Sequence, residues 1–257
     1  MIAPARAKLP LAVVLRMLVA QTRMNFTWYF LRDGEMIFWS LAIPVFFLLV
    51  FSFAFGGSTT QSSSFLVPGL IGAQVLSSGF WGVGAMLATF REKKLLRRIY
   101  LTPLPPWTFF TALVLYRMTL LALQALVLAL VGGVVFHVRV VGHPLSILFI
   151  LLLGAATFVA LGTVVGAVTR TAESANNVAS VLTVPLSFLS DAYLPIDRFP
   201  HPVASVLRAL PSTEFVDAFR GIAIGGDSLT HFAPYVGLLV LWTIAGTAVS
   251  ARFFRWV

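Results

Sequence analysis

Six apolar segments recur along this chain and constrain its fold more than any other feature. They cover about 36–55, 65–90, 109–136, 145–168, 175–194 and 233–251. A helix needs roughly 20 apolar residues to cross a bilayer core, and each segment is near or above that length. In lipid a segment must satisfy its own backbone hydrogen bonds, so these stretches are predicted to be helices. Composition agrees, with 59% hydrophobic and 11% charged residues. A water-soluble domain of 257 residues needs far more charge to cover its surface. The sequence predicts an all-α polytopic membrane protein, a single transmembrane domain over 1–257.

The net charge of +9 suggests a nucleic-acid partner until the charges are placed. Of the 18 Lys and Arg, thirteen fall on one side of the six-span topology, four on the other, and Arg117 inside a span. The acids divide four and five, so one side is +9 and the other −1. That is positive-inside sorting, with the basic side and both termini in the cytoplasm. The sorting accounts for the net charge without a nucleic-acid partner. The chain has no cysteine, which excludes disulfides and thiolate metal sites, and no histidine has metal-ligand spacing with a carboxylate. Arginine outnumbers lysine fifteen to three, which points to a GC-rich bacterial genome.

Residues 1–35 do not read as a signal peptide, because Pro10 and Arg16 break the apolar run and no small-residue cleavage site follows. Leu11, Val14, Leu15, Leu18, Thr22, Phe26 and Tyr29 recur at helical spacing, with Arg16, Arg23 and Arg32 elsewhere. This predicts an amphipathic helix in the cytoplasmic interface, among membrane lipids. Span 1 contains Pro44 and is crowded with phenylalanine towards its end. Span 2 is rich in glycine (Gly69, Gly72, Gly79, Gly82, Gly84), as is span 4 (Gly154, Gly162, Gly166). Glycine in lipid usually marks close helix packing. Gln74 and Trp81 in span 2 suit either packing or a pathway. Arg117, about two turns into span 3, is expected to snorkel to the cytoplasmic interface or to enter an internal ion pair. Span 5 is interrupted at Pro185 and turns polar at Ser187, Ser190 and Asp191.

Between spans 2 and 3 lies the densest charge in the chain, residues 91–106. Read as one helix, Glu92, Leu95, Leu96 and Ile99 share a face and Arg91, Lys93, Lys94, Arg97 and Arg98 take the rest. Pro103, Pro105 and Pro106 then end it. A topology anchor needs only the charges; the small apolar knob suits a docking helix for a cytosolic partner, with Glu92 adding a charge-assisted bond. Residues 195–232 are too apolar for a free loop and too broken by proline to span. Val203–Leu210 and Phe215–Ile224 are expected to be short re-entrant helices, the second with Ser212 as N-cap and Gly225 as C-cap.

Other activities fit less well. A membrane Ser-His protease needs a serine elbow buried in one span and a histidine in another; span 4 has no serine after Ser146, and His231 lies at a span boundary. A lipid phosphotransferase needs clustered aspartates, and Asp33 stands alone. A secondary transporter is suggested by Pro44, Pro185, Arg117 and Asp191, but no mid-membrane carboxylate or internal repeat supports it. The chain has no phosphate-binding Gly-x4-Gly-Lys-Ser/Thr loop, so it is not expected to hydrolyse ATP itself.

With these features in place, the chain resembles the membrane subunits of ABC-2 type exporters, permeases of bacterial drug, lipid and polysaccharide efflux. The likeness rests on the interfacial helix before span 1 and on Arg91-Glu92 followed by Thr102-Pro103-Leu104. It rests also on the break at Leu194-Pro195 and on Leu210-Pro211-Ser212 leading to Asp217, Phe219 and Arg220. It implies a bacterial inner-membrane subunit paired with a second permease chain, the same or homologous, and with two cytosolic ATPase subunits. ATP and magnesium would be held by those subunits, with no cofactor on this chain. The segment between spans 2 and 3 would be the coupling helix, with Arg91, Glu92, Leu95, Leu96, Ile99 and Tyr100 as coupling residues. Spans 1, 2 and 5 would line the path, which makes Phe46, Phe51, Phe55, Gln74, Trp81, Ser187 and Asp191 its candidate residues. A lipophilic drug or lipid-like cargo is expected, with a polysaccharide or glycolipid as the alternative. Asp191 departs from the family pattern, where a small or apolar residue is expected.

Overall fold

The structure is a computed structural model that describes residues 11–32, 34–56, 60–95 and 106–253. Among these residues the regular structure is entirely helical. Helix α1 (Leu11–Arg32) is followed by α2 (Gly34–Gly56) and α3 (Thr60–Ser77). A π-helical stretch, Ser78–Ala85, carries α3 without a break into α4 (Met86–Glu92). Helices α5 (Pro106–Phe136), α6 (Pro144–Val168) and α7 (Ala172–Leu189) follow. After a 3-10 turn at Ile196–Arg198 come two short helices, α8 (His201–Arg208) and α9 (Pro211–Arg220), a π turn Gly221–Gly225, and finally α10 (Ala233–Phe253).

Four stretches are long and apolar enough to cross a membrane among the described residues: Ser63–Glu92, Thr108–Phe136, Pro144–Val168 and Ala233–Phe253. The remaining two expected spans are α2 and α7. In α2 the described side chains form an apolar stretch over Phe38–Phe53. Helix α7 has 18 residues, about 27 Å at 1.5 Å per residue, and starts with Glu173, Asn176 and Asn177. Both run alongside qualifying helices. Ser40 and Phe53 of α2 meet Gln124 and Phe136 of α5 in the same order, at 3.1 Å (Gln124 Nε2 donating to the Ser40 carbonyl) and 6.4 Å between rings. Helix α10 likewise runs parallel to α6: Thr157 meets Leu239 and Thr243, and Ala160 meets Gly246. Parallel α6 and α10 require the chain between them to return once across the bundle, and α7 makes that return.

The glycines of the π-helical stretch and of α6 are where backbones touch. A Cβ on Gly79 would lie 2.2 Å from the Phe158 carbonyl oxygen, and one on Gly162 would lie 1.9 Å from that of Gly79. One on Gly84 would lie 2.5 Å from the Gly162 oxygen. The packing role read from the sequence holds at these positions. Buried side chains fill the space around this seam, with Phe80, Phe158, Phe215 and Phe219 forming a run of ring contacts at 5.8–6.4 Å.

Helix α9 is not a surface element. Pro211 to Val216 are all buried, with Val216 against Gly72 of α3 and Phe215 against Gly154 of α6. Its caps differ from expectation. Leu210 is the N-cap and Pro211 opens the helix, so Ser212 lies in the first turn; proline's fixed φ suits that opening position. At the far end Gly226, with φ +73°, takes the left-handed cap expected at Gly225. Pro185 does not interrupt α7, which continues to Leu189; membrane helices tolerate proline because neighbours satisfy the freed carbonyl. The helix instead stops before its expected end at 194, where Asp191 takes φ +60° and its Oδ1 accepts from the Ile196 amide at 2.8 Å.

Helix α1 packs along α5, with Phe26 edge-on to Tyr116 at 5.5 Å. Val14 is buried, whereas Leu15, Val19 and Met24 are exposed beside Arg16 and Arg23. The expected apolar face is thus split: part of it meets α5, and Leu15 joins a second apolar strip on the outer side.

Candidate functional site

Two adjoining cavities open between α2, the α3–α4 rod and their neighbours. One, about 360 Å³, is lined by Phe47 and Phe51 of α2, Leu70, Gln74 and Trp81 of the rod, and Thr183, Ser187 and Phe188 of α7. Tyr193 closes its Arg220 end, its ring 5.3 Å from Phe51 and 5.1 Å from Phe188. The other, about 350 Å³, lies towards the Arg91 end and adds Trp39, Tyr116, Arg117 and Gln124. Ile43, Pro44, Gln74, Ser77 and Trp81 line both, so the two form one cleft along the bundle. Its walls are mostly aromatic and aliphatic, with a few uncharged polar groups and Arg117 at one end, which is the make-up of a site for a largely apolar molecule.

Of the expected path residues, Phe51, Gln74, Trp81 and Ser187 meet in this cleft. Ser187 is buried, its hydroxyl donating to the Thr183 carbonyl at 2.7 Å. Phe46 is 61% exposed and lines neither cavity. The side chain of Phe55 lies outside the described residues. Asp191 turns away from the cleft and pairs with Arg220. Sequence reasoning passed over Trp39, Tyr193 and Gln124. Gln124 was findable, being a lone amide seven residues after Arg117 and so on the same helix face.

Arg117 lies at the Arg91 end of the cleft. Its guanidinium rests over Gly82 of the π-helical stretch, 3.2 Å from where a Cβ would stand. Nη2 donates to the Met86 sulfur at 3.5 Å, and the Tyr116 ring lies 5.8 Å from Cζ.

At the opposite end, Arg220 closes α9 and gathers three elements. Its Nη1 pairs with the Asp191 carboxylate beyond α7 and, at 3.4 Å, with Asp217. Nη2 donates to the Asp191 carbonyl at 2.6 Å, and the guanidinium lies 4.0 Å from the Phe65 ring of α3. In α9, burial pushes the Asp217 carboxyl up to about 7; Asp191 adds to the rise and Arg220 and Arg208 oppose it. Burial likewise raises Glu214 to about 7.

The Arg91 end departs from the single docking helix read in the sequence. Helix α4 ends at Glu92, and Lys94 adopts φ +56°, a left-handed conformation that a continuing helix cannot hold. Glu92 and Leu95 are therefore not on one helical face. Leu96, Ile99 and Tyr100 lie outside the described residues, as does the rest of 96–105. Within the chain, Glu92 Oε2 accepts from the amide of Ala172, the first residue of α7, at 2.6 Å. Arg91 donates from Nη1 to the Ala167 carbonyl in the last turn of α6 at 3.3 Å. An anion thus meets a helix N-terminus and a cation a helix C-terminus, each the sign the helix dipole favours. Together they bracket the short α6–α7 turn, where Thr171 accepts from the Ser174 amide at 3.1 Å.

Apolar crossing helices around a lateral, aromatic-walled cleft describe a transport component of the membrane. A family model described as ABC-2 type transporter matches residues 18–224, from within α1 to the π turn after α9, and the chain belongs to that family. It is similar to a Bacillus subtilis (strain 168) protein named "Putative transport permease YvfS", 26% identical over 202 residues, which cover 77% of this chain and 82% of the relative. Membership implies that the chain works with ABC ATPase subunits.

Proposed function

We propose that the chain is the six-span permease subunit of an ATP-driven exporter that moves a lipophilic, drug- or lipid-like molecule out of a bacterial cytoplasm. The cleft between α2, the α3–α4 rod and α7 carries this reading, since three helices expected to line a path supply its aromatic wall. The parallel courses of α2 with α5 and of α10 with α6 support six crossings. In this reading α1 lies at the inner membrane's cytoplasmic face among lipids, both termini are cytoplasmic, and α8 and α9 form the outer lid. A second permease chain, the same or homologous, completes the path. Two cytosolic subunits bind ATP and magnesium and dock on residues 91–106. The Arg91–Glu92 bracket then carries motion of the docked loop to the α6–α7 turn.

The test is co-purification of the partner ABC ATPase with this chain, with its ATP turnover measured in nanodiscs. Leu95→Ala with Leu96→Ala should weaken assembly, since each leucine buried in a groove is worth about 1.5–3 kcal/mol. Unchanged assembly and turnover would reduce the loop to a topology anchor.

A further inference from the structure

We propose that Gln124 is a positioning residue for the cleft: it braces α2 at the break that Pro44 makes in that helix, and so fixes where the α2 wall stands. The inference rests on the cleft being the transport path, as argued above, and adds how one wall of that path is held. In an unbroken α-helix the amide of residue 44 would donate to the carbonyl of residue 40. Proline has no amide hydrogen, so that bond is missing from a helix that nevertheless runs on from Gly34 to Gly56. Gln124 of α5 reaches across to the same carbonyl, its Nε2 donating to the Ser40 oxygen at 3.1 Å. A donor on one helix thus stands in for the donor that proline removes from another.

Burial and position both fit this role. Gln124 is 8% exposed, and an amide so placed in an apolar helix is costly unless it is bonded. The residues at the break are cleft residues. Pro44 and Ile43 line both cavities, and Trp39, Ser40 and Gln124 line the one towards the Arg91 end. The bond therefore ties two walls of the cleft together where α2 bends most easily. On the Gly34 side of the break much of the helix surface is open, with Phe38, Trp39 and Ile43 47–61% exposed. Beyond the break, Phe53 rests on Phe136 of α5. The half of α2 before Pro44 is thus the part that Gln124 holds.

The experiment uses the full chain in nanodiscs. The protein has no cysteine, so Glu35→Cys in α2 and Val249→Cys in α10 give two spin-label sites, both exposed and outside the two cavities. Pulsed EPR reads the distance between them. Gln124→Met keeps the length of the side chain and removes its donor. A change of about 20° at the proline break, acting over the stretch back to Glu35, about 14 Å, should shift the distance by about 5 Å. Gln124→Asn, a shorter amide, should give an intermediate shift. Pro44→Ala restores a helical amide, so in that background Gln124→Met should leave the distance unchanged. No shift in Gln124→Met would overturn the proposal. So would a shift of equal size in the Pro44→Ala background, since Gln124 would then act through something other than the break. If Gln124→Met alone does not fold, recovery of folded protein by Pro44→Ala is the expected result, and lack of recovery overturns the proposal. With the partner ABC ATPase added, Gln124→Met should lower transport-linked ATP turnover several-fold, and Pro44→Ala should return most of it. Turnover that stays unchanged while the distance shifts would leave the brace standing and remove the reading of the cleft as the path.

Discussion

Asp191 and Arg220 show how one ion pair can hold several elements in place. The aspartate accepts from Arg220 and from the Ile196 amide, while Arg220 also reaches Asp217 and covers Phe65. Both partners are largely buried, Asp191 at 14% and Arg220 at 20% side-chain exposure. Removing one partner of such a pair strands the other charge, so Arg220→Ala should lower stability by about 3 kcal/mol. Thermal unfolding in detergent measures this, with Arg208→Ala, in a surface pair, as a near-neutral comparison. Glu214 and Asp217 add a pH dependence. Their carboxyls sit at about 7 in the fold, above their unfolded values, so the fold binds more protons than the unfolded chain between about 4 and 7. Their stabilising contribution is full below about 4 and fades as pH rises through 7. The unfolding midpoint should therefore be higher at pH 5.5 than at pH 8, and Glu214→Gln should flatten that slope.

At the scale of elements, the α3–α4 rod and α6 meet along glycine. Gly162→Ala would drive a Cβ into the Gly79 carbonyl, and overpacking of this kind costs about 1–3 kcal/mol. Gly237 of α10 has nothing within 4 Å of its Cβ position. Gly237→Ala should instead be neutral or gain up to about 1 kcal/mol of helix propensity. Denaturation of the two variants side by side separates packing from propensity. The π-helical stretch belongs to the same seam, and it also presents Gly82 to Arg117. One irregular segment therefore serves both the tight contact with α6 and the wall of the cleft.

For the whole molecule, the bracket at Arg91 and Glu92 joins the end of α4 to the last turn of α6 and to the start of α7, a helix that lines the cleft. Glu92→Ala should leave assembly with the ATPase intact and lower transport-linked turnover several-fold. Glu92→Gln, which keeps an acceptor for the Ala172 amide, should fall between. Equal loss of assembly in both would instead mark Glu92 as a contact with the partner. The overall orientation is testable because cysteine is absent. A cysteine at Ser62 should react with an impermeant reagent in intact cells and one at Lys93 should not.

The sequence by itself determined which segments are helical, where glycine brings helices together, and which family the chain joins. Those properties follow from local composition and period: apolar runs long enough for a bilayer, and Gly79, Gly84 and Gly162 placed among larger residues. Phe51, Gln74, Trp81 and Ser187, singled out together in the sequence because polarity and aromatic bulk in a span stand out, do line one cleft. The partner of Asp191 was not legible, since Arg220 lies 29 positions away and only the folding back of α9 brings the two together. The break at Lys94 was hidden for a similar reason. The basic run has good helical periodicity, but the bonds from Arg91 and Glu92 to the ends of α6 and α7 lie some 80 residues distant. Arg117 likewise could be placed in a span from sequence, whereas its position at the end of a cleft depended on α2 and the α3–α4 rod standing where they do. Tertiary structure decided these points because charge pairing and cavity shape arise from contacts between segments, which no local pattern encodes.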